Sequence, residues 1–298
     1  MNYIVFKAAM HWLQCALVEA KVLQQSSRES RKMRKTAPDA ERDMPTLSEM
    51  DGVRCLHFDS PWIQGAMQVS NPSSLVFLYT RQMMGWLLFL STTSVKRIDM
   101  LGLGAGSLAR YCLRHTKAHI HCVEWNPAVT AFCQQYFKLP RSHKRLAITH
   151  ADAQDWVVDM HNHGASQVLL VDLYDYTAQG PVADSLEFYE NCYRVLDNCG
   201  ILVVNLFGHH PSYRKNLRHI KQAFQQRVLA FDETEDGNRI VLAFKGPILA
   251  VEQEELLKRA RVVERHSELE AVSMAQMLIP QMEKNARKAK VSPNVLVV

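Results

Sequence analysis

The sequence predicts an α/β protein built on a mainly parallel, Rossmann-like sheet, and three observations predict it. Apolar strand-like runs alternate with helix-like segments from residue 97 to residue 225. Glycines cluster where the first of those runs ends, and acids follow the ends of the next three. A chain of 298 residues buries a sizeable core as one large α/β domain or two small ones. With 47% hydrophobic and 22% charged residues, it is neither disordered, collagen-like nor disulfide-stapled.

Residues 1–25 read as an amphipathic helix, followed by a polar linker to about residue 46. The apolar stretch Tyr3 to Leu23 is broken by Lys7, His11, Glu19 and Lys21, which does not suit a secretory signal. Two short extended segments, Val53–Phe58 and Ala66–Val69, flank a turn at Ser60-Pro61. Asn71-Pro72 supplies a cap and a first-turn proline for an apolar helix over 73–90. Arg81 and Gln82 interrupt that helix, and it is too short and too polar to span a bilayer.

Strands are expected at Arg97–Leu101, His119–Glu124, Leu146–His150, Val168–Leu173, Ile201–Phe207, Val228–Asp232 and Arg239–Phe244. Helices fill the gaps at 107–115, 127–137, 152–160, 183–197 and 211–225. Strands separated by helices imply βαβ units and a buried parallel sheet. The last two strands are joined by Glu233–Asn238 alone, so they form an antiparallel edge hairpin. A seven-stranded sheet ending this way has the layout of the nucleoside-binding, S-adenosylmethionine-dependent methyltransferase-type fold. Residues 251–290 read as one or two charged helices broken at Pro280. Four regions result: 1–46, a small β and helix segment at 47–96, the nucleoside-binding unit at 97–246, and a helical tail at 247–298.

The net charge of +5 is spread along the chain, and its tightest basic run, Arg28 to Lys35, lies in the polar linker. A solvated linker explains that run better than nucleic-acid binding does. Seven scattered cysteines with no C-x-x-C pair suit reduced, mostly buried thiols in a cytoplasmic protein. Cys112, Cys122 and Cys133 fall on expected elements and read as core. His161, His163, His209 and His210 read as loop histidines, so no metal is expected.

The chemistry concentrates at one rim. Arg97–Leu101 runs into Gly102-Leu-Gly104-Ala-Gly106-Ser107 and then a helix, an arrangement that brings backbone N–H groups close to a ligand. The dinucleotide fingerprint requires glycine at position 107. Ser107 stands there, which favours an S-adenosylmethionine-like nucleoside instead. Glu124 closes the second strand, where an acid accepts from ribose hydroxyls. Asp152, followed by Ala153, ends the third, where a carboxylate accepts from an adenine amino group. Asp172 and Asp175 end the fourth, where paired acids hold a cationic substrate and take a proton from an attacking amine.

Taken in order, these elements resemble the spermidine synthase (polyamine aminopropyltransferase) family from about Val53 to Phe244. Gln64-Gly-Ala-Met67 before Asn71-Pro72 is similar to the family's glutamine segment, and Tyr79 with Met83-Met84 to its tyrosine segment. Gly102–Ser107, Glu124, Asp152-Ala153 and Asp172-x-x-Asp175 match the glycine motif, ribose acid, adenine contact and catalytic acids. Gly180-Pro181, Leu186-Glu-Phe188-Tyr189 and Leu196-x-x-x-Gly200 match the stretch that follows. The resemblance implies transfer of an aminopropyl group from decarboxylated S-adenosylmethionine to putrescine or another polyamine, with methylthioadenosine released. It implies Asp172 as base, Tyr79 as its assistant and Asp175 as the amine-binding acid. Gln64, Gly102, Gly104, Gly106, Glu124, Asp152 and Ala153 would hold the nucleoside. The partners expected are a small amine substrate and, for assembly, a second copy in a homodimer, with neither nucleic acid nor membrane.

Three positions depart from the family pattern. Ala105 stands where the family usually has an Asp that engages the aminopropyl ammonium. Tyr79-Thr80-Arg81 replaces Tyr-His-Glu, and Thr234–Arg239 replaces a late aromatic and proline segment that closes over the polyamine. Ala105 also permits a methyltransferase using ordinary S-adenosylmethionine. A catalytically weak nucleoside- or partner-binding module, with the tail as its interaction surface, is the third reading.

Overall fold

The computed structural model describes residues 44–58, 62–174, 183–292 and 294–298. The expected N-terminal helix, the Ser60-Pro61 turn, Asp175 and Gly180-Pro181 lie outside the described residues. Pro45–Met50 (β1), Val53–Phe58 (β2) and Gly65–Gln68 (β3) form an antiparallel three-stranded sheet. β1 begins inside the stretch read as linker, because Thr46 to Met50 face solvent and carry no apolar alternation.

Leu78–Gln82 (α1) is a single short helix that continues as a 3₁₀ turn over Met83–Leu88. Asn71-Pro72 therefore does not start a helix over 73–90. Ser74 N donates to Asn71 O, closing a turn, and the Pro72 carbonyl accepts from Arg110 Nε at 2.7 Å. The chain stays non-helical until Phe77, and the 3₁₀ turn buries Met83, Met84, Trp86 and Leu88 in the core.

The main sheet contains Arg97–Leu101 (β4), His119–Val123 (β5), Leu146–Thr149 (β6), Ser166–Val171 (β7), Leu196–Phe207 (β8), Val228–Ala230 (β9) and Asn238–Lys245 (β10). Its order is β6-β5-β4-β7-β8-β10-β9. The first five strands are parallel, and β10 runs antiparallel to both β8 and β9, as the sequence predicts. Ser107–His115 (α2), Pro127–Tyr136 (α3), Ala153–Val158 (α4), Leu186–Val195 (α5) and Tyr213–Ala223 (α6) fall within the expected helical stretches. Cys112, Cys122 and Cys133 are fully buried.

The tail forms Ala250–Glu252 (β11), Gln253–Ser267 (α7), Ala271–Ala289 (α8) and Val295–Val297 (β12), with β11 paired to β12. The break lies at Glu268, which takes φ 58°, and not at Pro280. Pro280 sits on the exposed face of α8, while Met274, Ala275, Leu278, Ile279 and Met282 bury a continuous stripe on both sides of it. That packing sustains the helix past a residue unable to donate its N–H. Gln281 exchanges two hydrogen bonds with the Ala230 backbone, 3.0 Å and 2.6 Å, partnering the edge strand β9. No helix among the described residues is long and apolar enough to cross a membrane.

Candidate active site

β4 has β5 on one side and β7 on the other, so the chain direction of strand addition reverses there. Open α/β sheets bind ligands at the carboxyl ends of strands flanking such a switch point. Here those ends are the glycine turn after β4 and Asp172 after β7. Register brings them together, because Leu101 pairs with Val171 and Asp172 N donates to Leu101 O at 2.9 Å.

Gly102 has φ 91°, and a Cβ there would lie 2.2 Å from the Asp172 carbonyl oxygen. No other residue type fits so close an approach. Gly104 and Gly106 also take positive φ, and Gly106 leads directly into α2. β3 leans on this turn from outside. Ser107 Oγ donates to Ala66 O at 2.7 Å, and a Cβ on Gly65 would come within 2.7 Å of the Ala105 Cβ. Beneath the turn, the buried Arg110 guanidinium donates to the carbonyls of Ala105 and Pro72.

A pocket opens where these parts meet, lined by Gln64, Tyr79, Gly102, Gly104, Ala105 and Asp172 among others. Asp172 is the only acid among the described residues that line it. Burial pushes its carboxyl up to about 6, against the opposing effect of a hydrogen bond from Asn205 Nδ2 to Oδ1 at 2.9 Å. Burial first, then the charge of Asp172, holds the Tyr79 phenol well above its ordinary value. The Phe77 ring stacks on Tyr79 with centroids 5.8 Å apart.

Glu124 is buried behind the glycine turn. Its Oε2 accepts from Leu103 N at 3.1 Å and its Oε1 from Asn126 N at 2.9 Å, so one carboxylate joins the ends of β4 and β5. Glu124→Gln places an amide N–H₂ against one of these backbone donors. Thermal unfolding should register a loss of about 1–3 kcal/mol. Asp152 caps α4 by accepting from Gln154 N at 2.7 Å, with Ala153 buried next to it at the rim.

The structure thus brings Gln64, Tyr79, Gly102, Gly104 and Asp172 into one pocket. It places Gly106 in the glycine turn, Glu124 behind that turn, and Asp152 and Ala153 further along the same rim. Against this geometry, residues 76–232 match the family model described as the spermine/spermidine synthase domain. A polyamine aminopropyltransferase from Chromobacterium violaceum is 32% identical over 225 residues, covering 75% of this chain and 85% of that protein. The chain belongs to the spermine/spermidine synthase family.

It is also similar in fold to a probable spermidine synthase from Corynebacterium glutamicum, with TM-score 0.60 at 20% identity over 74% of this chain and 83% of that one. Human methyltransferase-like protein 13, solved with SAH, shares the fold at TM-score 0.58 and 21% identity, over 65% and 93% of the two chains.

Within this spermidine synthase family member, Arg81 is accounted for by the tail. Its Nη1 donates to Glu270 Oε1 at 2.8 Å, just before α8 begins, while Tyr79 lines the pocket. Asn205, Arg110 and Asp236 were not singled out by sequence reasoning. Asn205 is an uncharged residue within an apolar strand. Asp236 belongs to the hairpin; α1, which carries Tyr79, packs against β10, and the charge of Asp236 is among those that raise Tyr79.

Proposed function

We propose that this protein transfers the aminopropyl group of decarboxylated S-adenosylmethionine to a polyamine such as putrescine, releasing methylthioadenosine. The observation that carries this reading is the convergence, in one pocket, of a nucleoside-type glycine turn with a phenol and a half-buried carboxylate whose ionisation is pushed up to about 6. Glu124 accepts from the ribose hydroxyls, Asp152 and Ala153 meet the adenine, and the turn of Gly102, Gly104 and Gly106 lies against the nucleoside beside Gln64.

The chemistry asked of the protein is modest, because the sulfonium is already a good leaving group. The amine nitrogen attacks the aminopropyl carbon, the carbon–sulfur bond breaks, and its electron pair stays on sulfur. The proton lost by nitrogen goes to Asp172. Tyr79, protonated throughout the neutral range, orients the amine by hydrogen bonding, and Asp175 binds a substrate ammonium. Holding nitrogen, carbon and sulfur in line supplies much of the rate.

Asp172 must be ionised to accept that proton, and its carboxyl lies near 6. kcat/KM should therefore fall on the acid side of about pH 6, tenfold for each further pH unit. A rate profile measured from pH 4.5 to 8 checks this, and a flat profile through pH 5 contradicts Asp172 as base.

Ala105 favours a second reading. It is buried at the pocket wall against β3 and supplies no charge that would discriminate against the carboxylate of ordinary S-adenosylmethionine. Methyl transfer would then yield adenosylhomocysteine. Supplying each donor with putrescine and identifying the nucleoside product separates the two readings.

A further inference from the structure

Asn205 lies on β8 and is 2% exposed, beside the end of β7. Its Nδ2 donates to Asp172 Oδ1 at 2.9 Å, and its own Oδ1 accepts from Asn238 Nδ2 at 3.1 Å. Its backbone carbonyl accepts from the Tyr174 hydroxyl at 3.1 Å. Asn238 opens β10 and is itself fixed by the hairpin turn: its N–H donates to Thr234 Oγ1 at 3.1 Å, and its carbonyl accepts from Thr234 N at 2.8 Å. An unbroken run of hydrogen bonds therefore leads from the hairpin turn to the carboxylate in the pocket.

This run has a polarity. A primary amide can turn either end toward a carboxyl group, and the two orientations favour opposite protonation states. An N–H₂ group facing Asp172 stabilises the ionised form, whereas an amide oxygen facing it stabilises the protonated acid. With Asn238 donating to the Asn205 oxygen, the N–H₂ end is the one left facing Asp172.

We propose that Asn205, held in this orientation by Asn238, is a positioning residue that keeps Asp172 aimed into the pocket and ionised. The inference rests on the reading of Asp172 as the base. Among the described residues, the titratable groups coupled to Asp172 are Tyr79 from α1 and Tyr174 beyond the end of β7, both phenols raised by burial and by its charge. The hairpin adds Asp236, whose charge reaches Tyr79. β8 contributes Asn205, whose hydrogen bond opposes the effect of burial on Asp172.

The test is the pH profile of kcat/KM for aminopropyl transfer in Asn205→Ala, Asn238→Ala and Asp172→Asn, with methylthioadenosine binding measured calorimetrically as a check on the folded site. Asn238→Ala alters the hairpin rather than the buried strand and still reads the effect if Asn205→Ala fails to fold. The acid limb should move up by about one pH unit in Asn205→Ala, and by less in Asn238→Ala. Rates should return toward wild type as pH rises, with methylthioadenosine binding unchanged. Limbs that stay in place, or a loss equal at every pH, overturn the positioning role provided Asp172→Asn is inactive. An active Asp172→Asn overturns the base reading itself, and this inference with it.

Discussion

Asp172→Asn is expected to lower turnover by about 10²–10⁴-fold, the usual contribution of a positioned general base, while nucleoside binding stays near wild type. The amide keeps an oxygen that accepts from Asn205, so the pocket retains its shape. The same substitution should make the protein more stable. In the folded chain the Asp172 carboxyl sits near 6, above the ordinary value of 3.8. Ionisation is therefore harder in the folded state than in the unfolded one, and this costs native stability. That cost is absent below about pH 4, grows between pH 4 and pH 6, and is complete above it. Replacing Asp172 by Asn should raise stability by about 1–3 kcal/mol at pH 7 and leave it nearly unchanged at pH 4. Paired thermal melts at those two pH values check it, and a destabilised variant at pH 7 would falsify the assigned environment.

Gly102→Ala should fail in the opposite way, losing stability and binding together. The added methyl would lie 2.2 Å from the Asp172 carbonyl oxygen, on a backbone with φ 91°. Backbone cannot swing aside as a flexible side chain does, so β4 and β7 must part or the turn must flatten. Either response costs about 2–4 kcal/mol and displaces Asp172 from the nucleoside turn. Chemical denaturation and calorimetry with methylthioadenosine should both show the loss. A variant with wild-type stability and affinity would contradict the close packing of these two strand ends.

The contrast between legible and hidden features follows from what determines each. β4 to β7 were legible because buried parallel strands are apolar runs, and because the glycine turn and Glu124 mark where two of them end. The hairpin of β9 and β10 was legible from its short connection. Asn71-Pro72 misled because a local cap signal lost to a long-range contact, the hydrogen bond from Arg110 to the Pro72 carbonyl. Pro280 misled because the buried stripe of α8 outweighs one missing hydrogen bond. Arg81 departs from the family pattern without a visible reason in the sequence, since its partner, Glu270, is 189 residues away. Asn205 and Asn238 were invisible for the same reason: their pairing depends on strand order, which brings β8, β10 and the end of β7 side by side. Asp175 lies outside the described residues, and its proposed role comes from the spacing Asp172-x-x-Asp175 together with the family resemblance.

The central claim is that the nucleoside turn and Asp172 serve one aminopropyl transfer. Its most direct measurement is product identification after incubation with putrescine and either decarboxylated or ordinary S-adenosylmethionine, for wild type and Asp172→Asn. Methylthioadenosine and spermidine should form from the decarboxylated donor in equal amounts with wild type, and both should nearly vanish with the variant. Adenosylhomocysteine from the ordinary donor, with no methylthioadenosine from the other, would contradict the account and establish methyl transfer in its place.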